Sequence, residues 1–532
     1  MTDPAARVRR LLEEYGSPQA CAADLLCDRH PADAVAFTVV ETDLTATDLT
    51  YGELRERSTR CAAALAGLGV EPGDRVGVLM GKSADLVTVL LGIWRRGAVH
   101  VPLFTAFAAP AVAFRLTSSG AKVVVADADQ LPKLEPDPAW RVIVAGASDA
   151  ELALDRLLSE YSADDPGGRA VAVGPEGLLV QLYTSGTTGT PKGVPVPLRA
   201  LASMQSYQEF ALDVRPEDVY WNIADPGWAY GLYYTLLTPL VTGTRSLLLH
   251  SGFSAPLTWQ VLERFGVTNF AAAPTVYRAL RADSSGAPTG LALRRASSAG
   301  EPLTPDIPAW SVTTLGVAVR DHYGQTETGM LIANAWHDAV RTETRAGSMG
   351  RPLPGFAMAI LAEDADRVLG PGEPGRVVVD IRSSPAYWFP GYVDAPEKTA
   401  SRYAGDGRWY VTGDAGTVDE DGFFYFSARD DDVIIMAGYR IGPFDVESVL
   451  VLHDSVIEAA VVGMPDELRG EVVEAFVVLR AGAHGGPELE AELQQLVKTK
   501  FAAHAYPRTV HFVDSLPKTP SGKVQRFLLR QR

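Results

Sequence analysis

Four short segments of this sequence combine glycine turns with hydroxyl, carboxylate or lysine side chains, which are groups that bind phosphates and sugars. The densest is TSGTTGTPKG at residues 184–193, directly after an apolar run at 178–184 that predicts a buried strand. Gly186 and Gly189 let the backbone turn tightly so that its amides converge on an anion, and five hydroxyls and Lys192 add donors. It is not a Walker A loop, because Pro191 precedes the lysine and Gly193 stands where Ser or Thr would reach Mg²⁺. The segment therefore predicts an anion-binding loop, and the alternative is a flexible Ser/Thr/Gly loop.

The other three segments are ordinary when each is taken alone. In DHYGQTETG, at residues 321–329, Glu327 could hold Mg²⁺ beside a phosphate and Tyr323 could stack on a planar base. In YVTGD, Asp414 stands on a glycine turn where its carboxylate could accept both hydroxyls of a ribose. In PKTPSGK, Lys523 lies on a Gly/Ser/Pro loop that leaves its ammonium free to enter a pocket. Only the combination of the segments favours a shared site over common loops and a solvated lysine.

The elements that position these segments change in type along the chain. Up to about residue 345, short apolar strands alternate with amphipathic helices, such as those at 54–68 and 84–95, and Thr50 and Glu53 form a capping box before the first. Strands punctuated by Gly and Pro then predict a small antiparallel sheet or barrel, at 356–361, 376–380 and 423–426. From about residue 430 the pattern predicts a compact α+β unit of about a hundred residues.

Composition bounds the class of protein. At 532 residues the chain is long enough for at least two domains, and 48 Lys and Arg against 65 Asp and Glu give a net charge of −17. Without a run of basic residues, this charge disfavours binding to nucleic acid or anionic membranes. Three cysteines provide no disulfide framework. The uncharged stretch 226–244 contains Pro239 and predicts a buried helix rather than a membrane span, and we expect a cytoplasmic protein.

The order and content of the four segments resemble the adenylate-forming superfamily, which comprises acyl-CoA synthetases, luciferases and the adenylation domains of peptide synthetases. The resemblance covers nearly the whole chain and is most specific at 184–193, 323–329, 412–414, 429–440 and 517–523. The resemblance is strongest to medium-chain acyl-CoA synthetases and somewhat weaker to acetyl-CoA synthetases. It implies an α/β N-terminal domain at 1–428, with layered α/β subdomains and a small β-barrel, a hinge at 429–432, and a small mobile α+β domain at 433–532.

The resemblance also implies the reaction, in which a carboxylic acid, ATP and CoA give acyl-CoA, AMP and diphosphate through an acyl-adenylate, with Mg²⁺. Lys523 would bridge the carboxylate and the α-phosphate, Glu327 with Thr187 or Thr188 would position Mg²⁺, and Asp414 would hold the ribose. Thr188 is thus implied as catalytic beside Lys523 and Glu327. The implied ATP and AMP contacts are Thr184, Ser185, Gly186, Thr187, Thr188, Gly189, Thr190, Pro191, Lys192, Gly300, Glu301, Pro302, Asp321, His322, Tyr323, Gly324, Gln325, Thr326, Asp414, Arg429, Arg440 and Lys523.

The same resemblance assigns the hinge and the coenzyme A contacts. Asp431 takes the hinge position, and the small domain would rotate between the two half-reactions. The implied coenzyme A contacts are Ala437, Gly438, Tyr439, Arg469, Lys500 and Arg508. The sequence departs from the family at Ala428, where a glycine is usual, and this methyl group could alter the freedom of the hinge.

By position, the residues that shape the acyl pocket in acetyl-CoA synthetases correspond here to Trp228, Ala229, Tyr230, Ala299 and Gly324. In those enzymes a tryptophan takes the place of Gly324 and closes the pocket around two carbons. The smaller residues here predict a short-to-medium aliphatic acid or a small aromatic acid. An acetyl- or propionyl-CoA synthetase is the alternative.

Two rival functions differ in class. An amino-acid-activating domain would place an aspartate near 228–231 to pair with the ammonium of its substrate, and here that position is Ala229. A non-catalytic nucleotide or acyl-CoA sensor would be expected to lose Lys523, Glu327 or Asp414, and all three are present. Lys523 is also a candidate for regulation by a lysine acetyltransferase and deacetylase, because acetylation would remove its charge.

Overall fold

The computed structural model of the protein describes residues 3–135, 137, 139–146, 149–184, 191–436, 439–466, 469–519 and 522–531. Within these residues the strands form three sheets, of six, fourteen and five strands. The first two sheets belong to the part of the chain that precedes the predicted hinge, and the third follows it. This arrangement confirms the α/β class of the large part and the α+β class of the small one.

The six-stranded sheet is parallel except at one edge. Its strands lie in the order Arg141–Ala145, Val123–Asp127, Arg75–Leu79, Val99–Pro102, Leu178–Thr184 and Lys192–Pro197. The last two strands are antiparallel and flank the anion-loop segment, because Thr184 pairs with Lys192. The buried apolar run at 178–184 is thus a strand, as predicted, and it ends where the loop begins.

The fourteen-stranded sheet has a parallel half and an antiparallel half. Its strands lie in the order Met358–Leu361, Gly375–Asp380, Trp409–Val418, Phe424–Arg429, Ser348–Pro352, Gly329–Ala333, Val319–Gln325, Arg295–Ala299, Asn269–Ala272, Tyr220–Asn222, Ser246–Leu249, Val35–Val40 and Ala46–Thr50, and Tyr403–Ala404 pairs with Trp409–Val418. The strands from Val319–Gln325 to Val35–Val40 run parallel to one another.

The predicted small β-barrel is wrong for the described residues. Strand Ser348–Pro352 pairs on one side with Gly329–Ala333 and on the other with Phe424–Arg429. The antiparallel strands therefore extend the parallel sheet and end at an open edge, Met358–Leu361, instead of closing on themselves.

The helices pack on these sheets or connect their strands. The α-helices are Pro4–Tyr15, Tyr51–Gly67, Ala84–Arg95, Ala109–Ser119, Leu154–Glu160, Leu201–Phe210, Ala229–Gly231, Thr238–Thr242, Ala255–Arg264, Pro274–Ala282, Asp306–Thr314, Pro396–Ala400, Pro443–Leu450, Pro487–Lys500 and Arg526–Leu529. Asp24–Asp28 and Leu232–Leu237 are π-helical, and short 3₁₀ turns occur at Ala128–Lys133, Pro166–Gly168, Leu198–Ala200, Ser284–Gly286 and Ile381–Ser383. The predicted capping box is present, since Thr50 and Glu53 exchange hydrogen bonds at the start of Tyr51–Gly67.

The uncharged stretch 226–244 folds as helical turns. Ala229–Gly231, Leu232–Leu237 and Thr238–Thr242 follow one another, and most of their side chains are buried. The buried-helix prediction is confirmed, and among the described residues we find no helix with the length and apolarity needed to span a membrane.

The five-stranded sheet forms the core of the small C-terminal part. Its strands lie in the order Tyr439–Ile441, Ile434–Met436, Gly470–Leu479 and Val456–Asp466, and Thr509–Phe512 pairs in parallel with Gly470–Leu479. Apolar side chains of Pro443–Leu450 and Pro487–Lys500 share one hydrophobic core with these strands. The predicted hinge, 429–432, begins at the last residue of Phe424–Arg429 and precedes Ile434–Met436.

Candidate active site

A cleft of about 1610 Å³ opens between the carboxyl ends of parallel strands from both large sheets and is covered by the C-terminal part of the chain. The ends of parallel strands are the usual place for ligands in α/β proteins, because the connecting loops converge there. The predicted residues that line the cleft are Thr184, Lys192, Trp228, Ala229, Tyr230, Ala299, Gly300, Glu301, Pro302, Asp321, His322, Tyr323, Gly324, Gln325, Thr326, Glu327, Asp414, Arg429, Asp431 and Lys523. The fold thus brings together residues that are more than 300 positions apart in the sequence.

Asp414 is held in one orientation by two neighbours from another strand. The Tyr323 hydroxyl donates to Asp414 Oδ2 at 2.5 Å, and the Gln325 side-chain amide donates to the same oxygen at 2.8 Å. Burial raises the pKa of Asp414, and the nearby Arg429 guanidinium acts in the opposite direction. Oδ1 of Asp414 has no hydrogen bond within the described residues, so one carboxylate oxygen is left to accept from a ligand.

Glu327 is the second fixed carboxylate of the cleft. It is 7% exposed, and the Tyr392 hydroxyl donates to its Oε1 at 2.8 Å. Arg402 in turn donates to the Tyr392 oxygen at 3.2 Å, which fixes the tyrosine. The other oxygen of Glu327 lacks a hydrogen bond among the described residues and is the kind of hard ligand that Mg²⁺ prefers.

Cations gather beside Glu327. The Lys192 ammonium lies 4.9 Å from the centre of the Tyr392 ring. Burial lowers the pKa of Lys192, and the charges of Arg402 and Lys398 lower it further. The positive charges of Lys192, Arg402 and Lys398 together create a field that favours an anion. A bound polyphosphate would relieve the repulsion between them.

Lys523 reaches the same cleft from the C-terminal part. It follows Gly522, which has a φ of +91°, in a tight turn where the Thr519 amide donates to the Lys523 carbonyl at 2.8 Å. Its side chain is open to the solvent of the cleft, yet atoms of both parts of the chain surround it. This desolvation lowers its pKa, while the charges of Glu301, Asp414 and Glu327 oppose the shift. Lys523 therefore lines the same cleft as the two fixed carboxylates, Asp414 and Glu327.

The predicted acyl-pocket residues form one wall of the cleft. Ala229 and Tyr230 face it at the start of a helical turn, and the Tyr230 hydroxyl lies 3.3 Å from that of the buried Tyr207. The Tyr207 hydroxyl is 2.8 Å from His322 Nδ1, and burial lowers the pKa of His322 to about 3, so this histidine is neutral. Trp228 packs against Phe104, with ring centres 5.1 Å apart. The wall is thus mainly apolar and aromatic. Behind it, the hydroxyls of Tyr230 and Tyr207 and the ring of His322 form a chain of polar contacts.

Gly324 lacks a side chain for a reason that the sequence did not reveal, namely the close approach of the neighbouring strand. A Cβ atom at this position would lie 2.3 Å from the Gly329 carbonyl oxygen and 2.6 Å from the Met330 Cα. The strand carrying Gly324 pairs closely with Gly329–Ala333, and the register shifts between Tyr323 and Gly324. A larger residue here would have to move the neighbouring strand.

Some predicted residues lie away from the cleft. Tyr439, Arg440, Arg469, Lys500 and Arg508 do not line it. Tyr439 is 54% exposed and stacks on His504 with ring centres 4.2 Å apart, and Arg440 pairs with Glu363 at 2.9 Å. The predicted residues Ser185, Gly186, Thr187, Thr188, Gly189 and Thr190, together with Ala437 and Gly438, lie outside the described residues.

Sequence reasoning missed several residues that line the cleft. Tyr392 and Arg402, which fix Glu327, lie in irregular segments without a recognisable motif, and only the tertiary contact identifies them. Lys82 and Asp225 also line the cleft, at the ends of strands in different sheets. Each of them closely follows a strand, and this position could have identified them in the sequence, because the loops at the carboxyl ends of parallel strands converge on one site.

Comparisons with known proteins agree with this geometry. The sequence profile of the AMP-binding enzyme family matches residues 25–393, and that of the AMP-binding enzyme C-terminal domain matches residues 445–523. The acetyl-coenzyme A synthetase of Bacillus subtilis (strain 168) is 37% identical over 491 residues, which are 90% of this chain and 84% of that protein.

Two solved structures resemble the whole chain. The Brucella canis acyl-CoA synthetase is 42% identical with a TM-score of 0.78, and the match covers 99% of this chain and 98% of that one. The anthranilate CoA ligase AuaEII, solved in complex with anthranoyl-AMP, is 28% identical with a TM-score of 0.86, covering 97% of each chain. The chain therefore belongs to the AMP-binding enzyme family, and within it to the AMP-forming acyl-CoA synthetases.

Proposed function

We propose that this acyl-CoA synthetase activates a short-to-medium-chain aliphatic acid or a small aromatic acid, with Lys523, Glu327 and Asp414 as the groups that carry adenylation. The observation that supports these roles most strongly is that Lys523, from the C-terminal part, lines the same cleft as both fixed carboxylates. Asp414 offers a free oxygen to the ribose hydroxyls, and Tyr323 beside it offers a ring face to the adenine. Pyrophosphate release from ATP with a panel of carboxylic acids tests the proposal directly.

The chemistry explains why cations dominate one end of the cleft. A carboxylate oxygen attacks the α-phosphorus of ATP, the bond to pyrophosphate breaks, and a mixed anhydride with AMP forms. Both reactants are anions, so the protein has to neutralise charge and align the attack. In this proposal Lys523 binds the acid and the α-phosphate together, and Lys192 with Arg402 binds the leaving pyrophosphate. In the second half-reaction the thiolate of CoA attacks the acyl carbonyl and AMP departs.

Glu327 is suited to a magnesium ion shared with the nucleotide. A single protein carboxylate is enough when substrate phosphates and water supply the remaining oxygen ligands. When bound, Mg²⁺ neutralises phosphate charge. Tyr392 would hold Glu327 in place for this role, and the predicted partners Thr187 and Thr188 remain proposals.

The acid itself is inferred from the wall of the cleft. Ala229 and Ala299 leave space where bulkier residues would close the pocket, while Tyr230 refills part of it. We expect pyrophosphate release to be faster with butyrate, hexanoate or benzoate than with acetate. If acetate proves the best substrate, the alternative of an acetyl- or propionyl-CoA synthetase holds, which the Bacillus subtilis relative keeps open.

The division into 1–428, a hinge at 429–432 and a mobile domain at 433–532 is part of this proposal. Asp431 lies at the cleft beside Arg429, with 3.7 Å between their charged groups. Tyr439, Arg469, Lys500 and Arg508 are away from the cleft, which fits a second orientation in which rotation brings that face to CoA. Supplying purified acyl-AMP with CoA isolates this step from adenylation.

We also propose that Lys523 is a target of lysine acetylation and that the protein acts in the cytoplasm. Acetylation would remove the ammonium on which adenylation depends and leave the thioester step nearly intact. Protein carrying acetyl-lysine at 523, made by amber suppression, should form little acyl-AMP. Adenylation at the unmodified rate would refute the assigned role of Lys523.

A further inference from the structure

The turn that carries Lys523 rests directly on helix Pro274–Ala282 of the large part of the chain. A Cβ atom at Gly522 would lie 2.8 Å from Thr275 Oγ1 and 3.3 Å from Thr275 Cβ. Gly522 also has a φ of +91°, which side chains disfavour. The lysine turn is therefore in van der Waals contact with the first turn of this helix, and Thr275 forms the contact surface.

Next to this contact, an ion network crosses between the two parts of the chain. Arg278 lies one helical turn after Thr275 and donates to Glu301 at 2.9 Å, while the Thr275 hydroxyl donates to the other oxygen of Glu301 at 2.5 Å. Arg278 also lies 3.4 Å from Glu458 of the C-terminal sheet, and Glu458 pairs with Lys518 at 2.9 Å. Lys518 begins the turn that carries Lys523, since it forms a β-bridge with Val524.

The network is shielded from solvent. The side chains of Arg278, Glu301 and Glu458 are 15%, 11% and 14% exposed. A partly buried charge that loses its partner is left uncompensated, so such a contact is costly to break on one side only. The structure shows this interaction in the orientation in which Lys523 lines the cleft.

Arg278 also holds a carboxylate of the cleft that Lys523 enters. Arg278 donates to one oxygen of Glu301 and Thr275 to the other, and Glu301 lines the cleft together with Lys523.

From these contacts we propose that Arg278 is a positioning residue for adenylation, which docks the Lys523 turn on the large part of the chain through Glu458 and Lys518. This inference rests on the proposed function. It assigns no contact between Arg278 and the substrates. It predicts that the residue matters in one half-reaction and not in the other.

The test compares the two half-reactions in matched variants. In Arg278→Gln, acyl-AMP formation should slow by about tenfold, and thioester formation from supplied acyl-AMP should be unchanged or faster. Glu458→Gln should also slow acyl-AMP formation, and the double variant should be no slower than Arg278→Gln because both remove the same contact. Arg278→Lys should recover part of the rate.

The control is Arg281→Gln in the same helix. Arg281 pairs with Asp306 inside the large part of the chain. Arg281→Gln should either leave the rates of both half-reactions unchanged or lower both rates by the same factor. The inference is refuted if Arg278→Gln leaves adenylation unchanged, or if it slows both half-reactions to the same extent. If instead the parent protein releases no pyrophosphate with any acid, the proposed function itself has failed.

Discussion

Asp414 accepts two hydrogen bonds on one oxygen, from Tyr323 and Gln325, and this leaves the other oxygen available for the proposed ribose contact. Removing the Tyr323 hydroxyl in Tyr323→Phe keeps the ring and frees the carboxylate to rotate. We expect the KM for ATP to rise by about fivefold to tenfold, with a smaller change in kcat, as the loss of a hydrogen bond to a charged group implies. Steady-state kinetics with varied ATP measures this effect.

Tyr425→Phe is the matched control. The Tyr425 hydroxyl donates to Asp419 at 3.1 Å in a turn away from the cleft. Its removal should leave the KM for ATP unchanged. An unaltered KM in Tyr323→Phe would show that the tyrosine does not position Asp414 for the nucleotide.

The acyl pocket can be narrowed at Ala229, which is partly exposed in the cleft. Ala229→Leu adds three carbons where we expect the acyl chain to lie. The ratio of kcat/KM for hexanoate over propionate should fall by about tenfold or more, because a pocket that cannot accommodate the chain loses its packing. An unchanged ratio would place the acyl chain elsewhere.

A substitution at Gly324 should have a different effect from one at Ala229, although the sequence resemblance assigns both residues to the acyl pocket. Its missing side chain avoids the backbone of Gly329 and Met330. Gly324→Ala should therefore lower the thermal stability and the activity towards all acids together, without a change in chain-length preference. Differential scanning fluorimetry with the same acid panel separates this outcome from a shortened pocket.

At the residue scale, the sequence identified the residues to which we assign a chemical role but not the groups that hold them. Glu327, Asp414 and Lys523 each stand in a motif whose residue types suit one ligand. Tyr392 and Arg402 lie outside the recognised motifs, and their role depends on a fold that brings them to Glu327. Supporting contacts of this kind leave no local pattern in a sequence.

At the scale of elements, a hydrogen bond beside the hinge links strand Phe424–Arg429 to helix Pro443–Leu450. The Ser427 hydroxyl donates to Asp445 at 2.6 Å. Burial, with a contribution from the charge of Glu447, raises the pKa of Asp445 to about 6, and the hydrogen bond from Ser427 opposes this shift. The folded protein thus binds this proton more tightly than the unfolded chain does.

The sign of the pH dependence follows from this shift. The stabilisation by the protonated carboxyl is complete below the ordinary pKa of 3.8 and is lost as the pH rises through about 6. Asp445→Asn cannot ionise, so it should be more stable than the parent at pH 8, and the difference should shrink towards pH 4.5. Urea unfolding across this range checks the prediction, and a constant difference at every pH would contradict it.

The bounds of helices were predicted correctly where they depend on residues that are neighbours in the sequence, such as capping residues. Helix Ala84–Arg95 has the predicted bounds, with the Ser83 side chain capping it, and the capping box at Thr50 marks the start of the preceding helix. The barrel prediction failed because strand Ser348–Pro352 joins Gly329–Ala333, at the end of the parallel half of the sheet, to Phe424–Arg429, which lies much further along the chain. Short strands separated by turns look alike in sequence whether a sheet closes or continues.

At the scale of the whole molecule, the C-terminal part brings Lys523 to a cleft built by the two large sheets, and the proposed adenylation depends on this ammonium. The sequence predicted the α/β and α+β classes of the two parts, which the fold confirms, while the domain bounds and the role of the lysine stay predictions. It could not predict the surface on which the lysine turn docks, because Thr275, Arg278 and Glu458 are ordinary residues until the parts meet.

The most direct test is the single-turnover rate of acyl-AMP formation by Lys523→Ala, measured beside its rate of thioester formation from supplied acyl-AMP and CoA. The account predicts that adenylation slows by about a hundredfold or more, as expected for losing a charge that stabilises the transition state, while the thioester step stays near the parental rate. Acyl-AMP formation at the parental rate would contradict it.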